Sequence, residues 1–113
     1  SGTTLLSAEI RHLGGALGRP DPDGGALDRL RGEYAGFFVA VAATPELGAR
    51  GRADAARAVG ALSPWGCGAN FLNFSEEAID PASAFEPDVL ARLRAVRASA
   101  DPQGRFLANH DLG

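Results

Sequence analysis

Between Tyr34 and Ala43 the chain reads YAGFFVAVAA, ten residues without a charge, followed at once by Thr44-Pro45. A run this apolar, with aromatic and β-branched residues, suits a strand covered on both faces. Threonine caps a helix N-terminus, and proline tolerates the first helical position because no partner is needed there for its missing N–H. A central strand must therefore turn directly into a helix. Leu47, Ala55, Val59 and Leu62 recur at helical spacing and predict an amphipathic helix over 45–62, which Gly48, Gly51 and Gly60 weaken by up to about 1 kcal/mol each. The segment SPWGCG ends it.

The remaining elements follow from the same kind of reading. Residues 4–13 partly alternate, with Leu6, Ala8, Ile10 and His12 on one side and Leu5, Ser7, Glu9, Arg11 and Leu13 on the other, which predicts a strand. A long loop rich in glycine, proline and aspartate follows. The short aromatic stretch ANFLNF at 69–74 predicts a third strand. Pro87 opens a second helix in which Leu90, Leu93, Val96, Arg97 and Ala100 share a face, and Asp101-Pro102 stops it. The predicted fold is α+β: an antiparallel sheet of at least three strands with two helices packed on one face. So few strands leave open edges, so either more sheet belongs to a larger parent or two copies pair.

Length, charge and cysteine use narrow the function. At 113 residues the chain suits a single domain over 1–113, and its 45% apolar content is enough for a core. A net charge of -3 supplies no basic field for nucleic acid or an anionic membrane surface. The longest purely apolar run, Phe37 to Ala43, is far shorter than the roughly 20 residues of a spanning helix. These features predict a soluble protein, and the single cysteine, Cys67, makes a reducing cytoplasm the plainer setting.

Several chemistries find no support. No glycine-rich nucleotide loop is present. DPDGG resembles the start of a calcium loop but lacks the later carboxylates. His12, His110 and Cys67 have no short metal-ligand spacing, so no metal site is expected. Glu76 and Glu77 are adjacent and would point to opposite faces of an extended segment.

Two stretches carry a more specific signal: NFLNF at 70–74 and RLRAVRASADPQGRFLANH at 92–110. Together they resemble the C-terminal end of FAD-linked oxidases of the berberine bridge enzyme-like family. That end has an aromatic-x-Asn-aromatic strand, an Arg-Leu helix, an Asp-Pro stop and a Phe-x-x-x-His-like tail. EIRHLGGALGRP and GEYAGFFVAVAATPE resemble the two substrate-domain strands before it.

The resemblance implies part of a larger substrate domain, with a sheet roofing a FAD that a separate domain holds. It implies an oxidase moving a hydride from an alcohol, sugar or amine to FAD, with dioxygen as acceptor. On this reading Asn73, Asn109 and His110 are cofactor-side residues, and Phe106 packs at the domain junction. Many members carry tyrosine where this chain has Phe74 and Leu13, so the proton-accepting candidates become Tyr34, Glu9, Arg11 and His12, with His12 and Tyr34 foremost. Histidine is the side-chain type that changes charge near neutrality. The partners implied are the FAD-binding domain and a small-molecule substrate. The alternative is a self-contained dimeric α+β module that pairs through its sheet edges and binds a small ligand without catalysis.

Overall fold

The structure, a computed structural model, describes residues 2–113. It contains strand β1 (Leu5–His12), strand β2 (Tyr34–Ala40), helix α1 (Pro45–Leu62) and helix α2 (Pro87–Ala100), with short 3-10 turns between them. The class is α+β, built on a two-stranded antiparallel sheet. Packing divides the chain into two compact units. One comprises the residues up to Gly15 with Gly32–Cys67, and the other Ala16–Arg31 with Gly68–Gly113.

In the first unit, β1 and β2 pair in a register that sets Ala8 opposite Phe38, Ile10 opposite Gly36 and His12 opposite Tyr34, with an irregularity between Leu5 and Ser7. Helix α1 starts as its sequence dictates: the Thr44 hydroxyl accepts from the Leu47 N–H at 3.3 Å, and Pro45 follows. Its buried face is not the leucine and valine stripe. Gly48, Gly51 and Asp54, three residues apart, are the buried positions, while Leu47, Val59 and Leu62 are exposed. A Cβ at Gly51 would lie 2.5 Å from the Ala40 Cβ, and one at Gly48 would lie 3.2 Å from the Ala42 Cβ. The glycines thus bring the helix backbone down onto the end of β2, a gain that offsets their low helix propensity.

Asp54 fastens this contact to β1. Its Oδ2 accepts from the Thr4 N–H at 2.6 Å, the Thr4 hydroxyl at 2.8 Å and the Thr3 hydroxyl at 3.0 Å, and its Oδ1 pairs with Arg57. The Thr4 N–H and hydroxyl, then the Thr3 hydroxyl and the Arg57 charge, hold its carboxyl well below the usual carboxylate range against an opposing desolvation.

The second unit is built on α2 and loops. Pro87 occupies the first turn, but Glu86 gives no side-chain cap and instead pairs with Arg31. Leu90 is buried, Leu93 and Arg97 are half-buried, and Val96 is exposed. The predicted third strand is not a strand: Leu72–Phe74 is a 3-10 turn. Local bonds satisfy it, from Phe74 N to Phe71 O and Ser75 N to Leu72 O, and the turn stacks Phe71 on Phe74 with ring centroids 5.3 Å apart. An extended backbone would separate those two rings and require a neighbouring strand for the same N–H groups.

Two further expectations are corrected. Helix α1 covers the sheet, whereas α2 belongs to the second unit and packs on the turn at Pro81–Ser83. Strand β2 is not covered on both faces: Phe37, Phe38, Val39 and Ala40 are half-buried and Tyr34 is exposed. Among the described residues only Leu13 and Leu90 are buried apolar side chains. Leu6, Ile10 and Tyr34 on the strands and Phe106 and Leu107 in the tail are exposed, so much apolar surface lacks cover.

Two outcomes follow from α1. Gly51→Ala places a methyl against Ala40 and is expected to destabilise by about 1–3 kcal/mol, whereas Gly60→Ala, with open space around it, is expected to stabilise by about 0.5–1 kcal/mol. Urea unfolding checks both, and equal effects would contradict the close approach. The Asp54 clasp is complete above the ordinary aspartate value of about 3.9 and is lost as pH falls through the lower folded-state value. Asp54→Asn should be less stable near neutrality and should lose less stability than the parent between about pH 6 and about pH 2.

Candidate functional site

The described residues place the candidate side chains in two groups. In the first unit the antiparallel register sets His12 directly opposite Tyr34, with ring centroids 5.2 Å apart and planes tilted by 47°. Tyr34 is 61% exposed, and His12 is exposed beside it. This imidazole and phenol form an accessible pair at one end of the sheet, on the face that also carries Ile10.

Glu9 and Arg11 lie on the opposite face and bind each other, with the Arg11 Nε donating to the Glu9 Oε2 at 2.9 Å. The Arg11 hydrogen bond and charge keep the Glu9 carboxyl below its ordinary range, so it remains ionised and paired. Arg11 also lies 5.5 Å from the centre of the Phe37 ring. The pair is exposed and adds little to stability. Its geometry leaves His12 and Tyr34 as the better-placed proton-transfer candidates.

In the second unit, His110 is joined to the turn that carries Asn73. Its Nε2 lies 3.1 Å from the Leu72 carbonyl and 3.0 Å from the Ser75 carbonyl. Both partners are acceptors, so Nε2 carries the proton and donates to them. The other ring nitrogen, Nδ1, is sealed from solvent without a partner. His110 is thus a positioning residue for the turn. Asn73 at the centre of that turn and Asn109 next to His110 are both exposed.

The tail that carries Asn109 and His110 is held by its own chain. The Asp101 carboxylate accepts the backbone N–H groups of Phe106 at 2.8 Å and Arg105 at 2.9 Å, which lower its pKa with the Arg97 charge assisting. Gly104, at φ +60°, supplies the left-handed turn between them. Arg94 donates to the Leu112 carbonyl and Arg97 pairs with Asp111. The order of this tail therefore comes from local clasps. Phe106, expected to be packed, is 77% exposed, and Leu107 is 100% exposed.

Beside them lies an open hollow of about 160 Å³ lined by Arg97, Gly104, Phe106, Leu107, Ala108 and Asp111. This hollow is smaller than the roughly 300–1,000 Å³ usual for small-molecule sites. Among the described residues, no group of three or more His, Cys, Asp or Glu side chains is arranged to hold a metal ion, and no helix is long and apolar enough to cross a membrane. The tail clasps and the His12–Tyr34 pairing were not legible in the sequence, because they depend on contacts between distant residues. Asp101-Pro102 did mark the end of α2.

The His110 contact has a direct readout. His110→Ala should speed amide exchange at Ser75 and proteolytic cleavage within residues 104–113, while the helical circular dichroism signal stays unchanged. Unaltered exchange and cleavage would remove the positioning role. Comparison with protein-family models, with curated proteins and with solved structures yields no match to this chain.

Proposed function

We propose that this chain is the covering, substrate-side part of a FAD-dependent oxidoreductase whose FAD is held mainly by a separate domain. The enzyme is an oxidase that takes a hydride from an alcohol, sugar or amine, with dioxygen as acceptor. The family resemblance of residues 70–74 and 92–110 supplies the chemistry of this reading. The observation that carries the division of labour is the missing cover. Among the described residues only Leu13 and Leu90 are buried apolar side chains, which supports a chain whose apolar surface another polypeptide covers.

Within this reading the chain's own residues do limited work. His12, backed by Tyr34, receives the substrate proton; the exposed amides of Asn73 and Asn109 offer donors and acceptors to the cofactor side; His110 holds the Asn73 turn in place. The open edges of β1 and β2 take further strands of a larger substrate domain, and the setting is cytoplasmic. The second reading, a dimeric ligand-binding module without catalysis, draws on the exposed Leu6 and Ile10 of the same small sheet.

The isolated chain mixed with FAD should elute from gel filtration without visible flavin absorbance. The complete reading frame that contains it should yield a yellow protein, in which His12→Ala slows anaerobic flavin reduction by substrate by about 10²-fold or more. A yellow, oxidase-active isolated chain would contradict the division of labour. A colourless product from the complete frame would overturn the flavin reading itself.

A further inference from the structure

His12 is exposed at the end of β1, and an exposed side chain in such a place is free to visit several rotamers. Its ring nevertheless lies in the space that a side chain on Gly14 would need. A Cβ at Gly14 would stand 2.3 Å from the His12 Cε1, 2.8 Å from Nε2 and 3.0 Å from Nδ1. The imidazole therefore rests over bare backbone, with the Tyr34 ring beside it at 5.2 Å between centroids. Positions two apart project to the same side of an extended chain, so a side chain at 14 and the ring compete for one place.

The backbone at this point is less able to yield than the ring. Leu13, between the two residues, donates its N–H to the Glu33 carbonyl at 2.8 Å, and its side chain is buried. The next glycine answers a different need. Gly15 has φ +86° and open space where a Cβ would stand, whereas Gly14 has no positive φ and no open space. Gly15 thus lets the chain turn, and Gly14 leaves room for the imidazole.

We infer that Gly14 is the positioning residue for His12: its missing side chain is the seat that keeps the imidazole against Tyr34. A group that transfers a proton works only within hydrogen-bond reach of the atom it serves, and a misplacement of about 1 Å can cost about 10²-fold in rate. That this imidazole accepts a substrate proton rests on the flavin reading; where it sits does not.

Proton NMR of the 113-residue chain tests this, and Tyr34, the only tyrosine, makes the contact assignable. The parent should show nuclear Overhauser contacts between the His12 and Tyr34 rings. Gly14→Ala should lose them and keep the backbone contacts that pair Ala8 with Phe38, because only an exposed side chain is displaced. Gly15→Ala should do the opposite, lowering the urea midpoint while the ring contact stays. In the protein from the complete reading frame, Gly14→Ala should slow flavin reduction at saturating substrate by about tenfold or more. A parent without the ring contact, a Gly14→Ala variant that keeps it or unfolds, or a Gly15→Ala variant that loses it would each overturn the inference. Loss of the contact with an undiminished rate of flavin reduction would uphold the seat and remove His12 from the proposed reaction. The NMR result stands whatever the colour of the complete protein.

Discussion

A carboxylate at 8% exposure holds the first unit together. Asp54 is tolerable at that depth because the Thr4 N–H, two hydroxyls and Arg57 fill its lone pairs, leaving the charge solvated by protein. This arrangement requires a short distance between α1 and the strands, and Gly51, one turn earlier on the same face, provides it. A side chain at position 51 would meet Ala40 and lie about 4 Å from the Thr4 hydroxyl, so the packing contact and the polar clasp stand or fall together. The clasp holds the residues just before β1, and the strand register places His12 opposite Tyr34.

The same close packing leaves the larger apolar side chains outside. With glycine and alanine at the contact, Leu47, Val59 and Leu62 turn away from β2, and Leu6, Ile10 and Tyr34 remain exposed on the strands. Such a surface is costly in water and is normally covered. The proposed role as cover for a cofactor domain answers this requirement, with its chemistry implied by resemblance.

The candidate site divides in the same way. His12 and Tyr34 meet because two strands run antiparallel, and neither is tied up by a carboxylate, since Glu9 and Arg11 neutralise each other on the opposite face. His110 spends its donor on two carbonyls of the turn under Asn73. Asn73 and Asn109 on either side of this contact are exposed.

Local chemistry was legible from residues alone. Thr44-Pro45 and Pro87 start helices, Asp101-Pro102 stops one, and alternation in residues 4–13 marks β1, because caps, prolines and side-chain period act over a few neighbours. The sequence by itself thus determined the two helices and the two strands. Tertiary structure decided the rest. The aromatic segment at 70–74 became a 3-10 turn because Phe71 and Phe74 could stack locally and no strand was there to pair with them. The buried face of α1 shifted from leucine to glycine because backbone proximity to Ala40, and a carboxylate seeking the Thr4 N–H, outweighed the hydrophobic stripe; both depend on residues some ten to fifty positions away, beyond the reach of any local pattern.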